Sequence, residues 1–170
     1  EITPDKNSVV TVGTFDGVHR AHQEIVREVV HRAQRVEGRS VVVTFDPHPQ
    51  QYFTGQQRQL LTPHQERAVI LEKLGVQQLI LLPFDRELVK LSPQEFVDRI
   101  LDRQMQAKFI SVGEDFRFGN QRAGAATDLV ELAANMAIPT RIAPLETDGD
   151  SRISSSRIRA ALLAADLKLT

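Results

Sequence analysis

The 170-residue chain is 41% apolar and 25% charged, has a net charge of −1 and contains no cysteine. That length suits one domain with a sizeable core. The near-neutral balance gives no general attraction to nucleic acid or membrane, so any anion site must be local, and the missing thiols exclude disulfides, thiolate catalysis and zinc–thiolate centres. No apolar run approaches a bilayer span and no signal peptide is visible, so a cytoplasmic place without membrane or nucleic-acid partners is expected.

In chain order, SVVTVG (8–13) reads as a short buried strand ending in glycine. The stretch GTFDGVHRAH follows: a glycine turn, an aspartate expected to be exposed, and His19 and His22 spaced i, i+3 where a helix begins. Ile25, Val26, Val29, Val30 and Ala33 give that helix its apolar stripe. SVVVTF (40–45) is a second strand, and 47–61 a long Gln-rich loop carrying Tyr52 and Phe53. TPHQERAVILEKLG (62–75) predicts a helix with Thr62 as N-cap, Pro63 in first position and Gln65 in the capping-box place. After the strand QLILLPF (78–84), SPQEFVDRIL (92–101) repeats the device with Ser92, Pro93 and Glu95. KFISVG (108–113) is a fourth strand, ATDLVELAANM (126–136) a helix, TRIAPL (140–145) a weaker fifth strand and SSRIRAALLAADL (155–167) a last helix.

Near-continuous apolar strands alternating with helices predict an α/β domain, a Rossmann-like doubly wound parallel sheet of about five strands. In such sheets ligands bind beyond the C-terminal strand ends. TFDGVHRAH, FDPHPQQYF and GEDFRFGNQRAG all begin there.

The first of these suits phosphate. A helix N-terminus offers unpaired N–H groups and partial positive charge, and two imidazoles on one face can each donate a hydrogen bond and carry charge beside an anion. No GxxxxGK[ST] loop is present. A metal centre needs more ligands than two histidines, and two solvated histidines at a helix start are the plain structural alternative. RISSSRIRAAL (152–162) is a second candidate, its three serines and Arg157 and Arg159 able to converge on an anion. Ordinary capping accounts for one serine and no arginine. Phe45, Phe53, Phe116 and Phe118 fall at strand ends or loops, and the prolines of DPHP make rigid walls, as a flat apolar ligand requires. Either Phe116 or Phe118 could equally be core. His48, between two prolines, reads as a surface turn residue.

GTFDGVHRAH resembles the G-x-F-D-x-x-H-x-G-H signature of the nucleotidyltransferase superfamily, and ISSSRIR its second phosphate motif, I-S-S-[ST]-x-I-R. VTFDPHP (43–49) and VGEDFRFG (112–119) narrow the resemblance to the FMN adenylyltransferase module of prokaryotic FAD synthetases, in order from Val10 to about Leu163. The resemblance implies transfer of AMP from ATP to FMN, giving FAD and pyrophosphate. His19 and His22 would contact the ATP phosphates, with Gly13, Thr14, Phe15, Asp16, Gly17 and Ala21 around the nucleotide. Ser154, Ser155, Ser156 and Arg159 would hold the β- and γ-phosphates beside Arg152. Phe45, Pro47, Pro49, Phe53 and Phe118 would line the flavin pocket. Mg²⁺ would ride mostly on substrate phosphates and water, with Asp115 nearby.

Two departures stand out. Ala21 replaces the family's glycine, which favours a nucleotide- or flavin-binding module with impaired turnover as one alternative. Residues 1–170 read as the adenylyltransferase domain alone; the riboflavin kinase to which the module is fused in most bacteria has no room after Leu163, and would be a covalent partner in a longer protein. A cytidylyltransferase-like enzyme shares the first motif but leaves VTFDPHP and VGEDFRFG unexplained.

Overall fold

The computed structural model describes residues 7–164. Along the chain run β1 (Ser8–Val12), α1 (Arg20–Arg35), β2 (Arg39–Asp46), α2 (Pro49–Thr54), α3 (His64–Lys73), β3 (Gln78–Pro83), α4 (Arg86–Lys90) and α5 (Pro93–Glu95), which continues as π-helical turns through Phe96–Gln104. Then come β4 (Ala107–Gly113), β5 (Arg117–Phe118), β6 (Gly124–Ala125), α6 (Ala126–Ala134), β7 (Thr140–Ala143), β8 (Thr147–Asp148), β9 (Ser151–Arg152) and α7 (Ser155–Leu163).

All five expected strands form one parallel sheet, in the order β3-β2-β1-β4-β7. Every residue of β1 is buried, which is why its sequence, SVVTV, carries no charge and no alternation of inward apolar and outward polar residues. On one face Val10, Val12, Val41 and Val43 pack with Phe96, Val97, Leu101 and Leu129, from the π-helical turns and α6. On the other, Val42 meets Val26 and Leu71, and Val9 meets Val29 and Ala33, from α1 and α3. Helices cover both faces, so the sheet is doubly wound. The chain steps outward from β1 to β2 and β3, then crosses back to β4 and β7. The crevice of such a fold therefore opens beyond the C-terminal ends of β1 and β4.

Ser92 builds the expected capping box: its Oγ accepts from Glu95 N–H at 3.1 Å, and Glu95 Oε2 accepts from Ser92 N–H at 2.9 Å. The predicted cap of α3 does not form. Pro63 occupies the N-cap, with no side-chain capping bond, because Thr62 Oγ1 instead accepts from Gly17 N–H at 2.9 Å. Ser154 caps α7, its Oγ accepting from Arg157 N–H at 3.2 Å; the expected helix beyond residue 164 lies outside the described residues. Helix α2 shortens the long loop 47–61. No sequence signal had marked α4 or the two-residue hairpins β5–β6 and β8–β9. Among the described residues, no helix is long and apolar enough to cross a membrane.

Candidate functional site

The loop after β1 departs from ordinary backbone. Phe15, Gly17 and Val18 have φ of 47°, 87° and 40°, so any other side chain at Gly17 would be strained, and its Cβ would also push on Leu61 Cδ1, 2.8 Å away. This winding turns Asp16 inward. Expected to be exposed, it is 0% exposed. The reason is its partners: Oδ1 accepts from Thr62 N–H at 3.1 Å, Oδ2 accepts from the Arg159 guanidinium, and its carbonyl accepts from Ser155 Oγ at 2.6 Å. The Arg67 guanidinium stands 3.8 Å from Oδ1.

His19 is the N-cap of α1. Its Nδ1 accepts from His22 N–H at 3.4 Å, so in the neutral ring the proton sits on Nε2, where it can be donated. Burial lowers the pKa of His19, with Arg152 adding to the effect. Burial, then His19 and Arg67, hold His22 down to about 3. Both rings are neutral donors at pH 7 until an anion arrives.

These histidines border a polar cavity of about 350 Å³. Thr14, Ala21, Arg152, Ser154, Ser155, Ser156 and Arg159 line it too, so the structure brings together both halves of the expected phosphate site. It adds Arg58, Arg122 and His48, which sequence reasoning had not placed there. His48 caps α2 through Nδ1, accepting from Gln50 N–H at 3.1 Å, and burial with Arg58 and Arg67 lowers its pKa to about 4. It stays in the turn expected, half-buried between β2 and α2, and borders the cavity from there. Arg58 Nε, His22 Nδ1 and Arg159 Nη1 are buried without a hydrogen-bond partner among the described residues. So many donors converging on one cavity, three of them without a partner among those residues, suit an anion chemically.

A second cavity, about 520 Å³, is walled by aromatic rings: Phe15, Phe45, Phe53, Phe84, Phe96, Phe116 and Phe118, with Gly13 and Pro49. Phe116 and Phe118 stack at 5.6 Å and 10°, and Phe84 meets Phe45, Tyr52 and Phe53 edge-on at 5.4–5.8 Å. Phe118 is both wall and core, at 5% exposure; Phe53 is 63% exposed. Pro47 does not line the cavity. Phe84 escaped the sequence reading, although it directly follows β3, at the same end of the sheet as Phe45. Thr14, His22, Ile25, His48, Gly113 and Asp115 border both cavities.

Asp115 pairs with Arg152 at the junction of the two cavities. No group of three or more His, Asp or Glu side chains able to hold a metal occurs among the described residues. A magnesium cage built by the protein does not fit these residues.

The sequence profile of FAD synthetase matches residues 1–157. The chain is 37% identical over 165 residues to the bifunctional riboflavin kinase/FMN adenylyltransferase of Pseudomonas fluorescens, covering 96% of this chain and 53% of that protein. It is 31% identical over 167 residues to the protein of the same name from Escherichia coli K12, covering 98% and 53%. The chain thus spans about half the length of these relatives. Among solved structures, one described as a macrolide-efflux protein from Streptococcus pneumoniae superposes with a TM-score of 0.86 and 32% identity, over 99% of this chain and 55% of that one. The pantothenate synthetase of Thermus thermophilus, at 18% identity and a TM-score of 0.54 over 91% of this chain and 62% of that one, shares the fold. A five-stranded doubly wound sheet, the His19–His22 and Ser154–Ser156 helix starts on one cavity and near-complete coverage by that profile lead to one assignment: the chain belongs to the FAD synthetase family.

Proposed function

We propose that this chain transfers AMP from ATP to FMN, releasing pyrophosphate and forming FAD. The observation that carries the reading is the pair of adjoining cavities: one aromatic and suited to an isoalloxazine ring, the other cationic and suited to a triphosphate, sharing the wall that includes Thr14, His22 and Asp115. A flavin phosphate emerging from the first would meet an α-phosphate held in the second.

In this mechanism an FMN phosphate oxygen attacks the α-phosphorus, and the bond from that phosphorus to the oxygen bridging toward the β-phosphate breaks. The nucleophile is already anionic at pH 7, so no general base is needed. Catalysis is positioning and charge stabilisation. His19, His22, Arg159 and Ser154–Ser156 would receive the charge gathering on the departing pyrophosphate. Magnesium would enter on the phosphates of ATP. The reading carries a cytoplasmic location with it, and a riboflavin kinase, part of the relatives' names, would supply FMN from the other half of a longer protein.

The test mixes protein, ATP, Mg²⁺ and FMN and follows FAD by chromatography. FAD and pyrophosphate in equal amounts are expected. Turnover with CTP in place of ATP would move the reading to a cytidylyltransferase. Binding of both substrates with no FAD would leave a module without turnover, the reading that Ala21 favours.

A further inference from the structure

The Asp16 carboxylate is fully buried and lines neither cavity, yet both halves of the phosphate site are tied to it. Its Oδ2 holds the Arg159 guanidinium, and its carbonyl takes the Ser155 hydroxyl. Behind it lies Arg67, 1% exposed, whose Nη1 donates to Thr44 Oγ1 at 3.1 Å and whose Nη2 donates to the Thr62 carbonyl at 2.9 Å. Thr44 Oγ1 in turn donates to the Thr14 carbonyl at 3.0 Å. Arg67 is thus fixed to strand β2 and to the loop before α3, and it cannot swing toward a ligand.

We infer that Asp16 and Arg67 are positioning residues for the anion cavity: Asp16 fixes Arg159 in the orientation that receives a phosphate, and Arg67 fixes Asp16. Two guanidinium groups share one carboxylate here, which leaves the cluster one negative charge short. Arg159 lines the polar cavity and keeps Nη1 without a partner among the described residues, so a phosphate oxygen supplies both the missing charge and the missing acceptor. Without Asp16, Arg159 would face Arg67 across a buried space with nothing between them, and like charges in such a setting drive apart.

The inference rests on the proposed role of Arg159 at the phosphates. Its test uses inorganic pyrophosphate, which needs no turnover, in calorimetric titrations of wild type, Asp16→Asn, Arg159→Ala and the double variant. Asp16→Asn and Arg159→Ala should each weaken pyrophosphate binding at least about tenfold. The double variant should be no weaker than Arg159→Ala alone, because Asp16 acts through Arg159. FMN affinity should stay at the wild-type value in Asp16→Asn, which a general loss of structure would not allow. Thr44→Val removes an anchor of Arg67 and leaves every charge in place, so it reads the same coupling if Asp16→Asn fails to fold; a fall of several-fold, absent in the Arg159→Ala background, is expected. Effects that multiply, FMN affinity that falls in parallel, or a wild-type protein that does not bind pyrophosphate would overturn the inference. A wild-type protein that binds pyrophosphate and obeys the coupling but makes no FAD would instead overturn the proposed reaction and leave the positioning role standing.

Discussion

The imidazoles of His19 and His22 lie stacked, 3.6 Å between centroids and 16° from parallel. Burial, the larger cause, and the His19 ring, which at that separation would repel a second positive charge, both disfavour protonation of His22. For His22 the folded value of about 3 lies below its ordinary 6.5.

The sign of the pH effect follows. Between pH 6.5 and 3 the unfolded chain binds a proton at His22 that the folded chain does not, so stability is full above pH 6.5 and is lost as pH falls toward 3. His48, held near 4, adds to the loss in the same direction. His22→Gln should therefore lose less stability than wild type when pH is lowered from 7 to 4.5. Denaturant titrations at several pH values check this; parallel curves for the two proteins would remove His22 from the effect.

His22→Ala and Arg159→Ala should each cost roughly 2–4 kcal/mol of transition-state stabilisation, the range for losing one donor aimed at developing charge. The loss should fall on kcat more than on FMN affinity. Steady-state kinetics with FMN and ATP varied separately decide it, and wild-type kcat in both variants would place the leaving group elsewhere.

The aromatic wall separates binding from stability. Phe45, only partly buried near the end of β2 and packed on the margin of the core, should cost less stability than Phe118 when cut back, and Phe45→Ala should weaken FMN binding by roughly 1–3 kcal/mol. Phe118 is buried beside Phe96 and belongs to the main core. Phe118→Ala should destabilise the fold by about 3–5 kcal/mol whether or not flavin binds. Calorimetry and melting curves on both variants distinguish the two, and equal losses of stability would contradict the division.

Ala21 lies one residue inside α1 in ordinary helical backbone and lines the polar cavity. A left-handed requirement at this position is thus ruled out, and its methyl group borders room in the cavity that glycine would leave open. Ala21→Gly should tighten ATP binding and raise kcat/KM for ATP, while weakening the helix by up to about 1 kcal/mol. FMN affinity should hardly change. ATP affinity no better than wild type would make the alanine neutral.

Much of the fold was open to sequence reasoning for a physical reason. Strands buried on two faces are mostly apolar and show no alternation, and Ser92 and Glu95 announce a helix start through the reciprocal hydrogen bonds of a capping box, with Pro93 in first position. The stretches around His19–His22 and Ser154–Ser156 stood out because each gathers donors at a helix N-terminus, and the structure sets both on one polar cavity. Asp16, Thr62 and Arg67 were misread or missed together. Their roles come from one buried network of distant partners, and no local pattern distinguishes an arginine on a solvated helix face from Arg67 turned into the sheet. Arg58 and His48 were hidden likewise, since their approach to the polar cavity depends on how the loop after β2 folds back.

The ion pair between Asp16 and Arg159 joins residues 143 positions apart. A chain emerging from the ribosome would have all five strands of its sheet before the arginine existed to meet the aspartate. Until α7 docks, the carboxylate has Thr62 N–H and Arg67 at Oδ1, and nothing from α7 at Oδ2. The sheet is therefore complete before the polar cavity is, and that cavity closes only when a helix made after the whole sheet comes to rest against it.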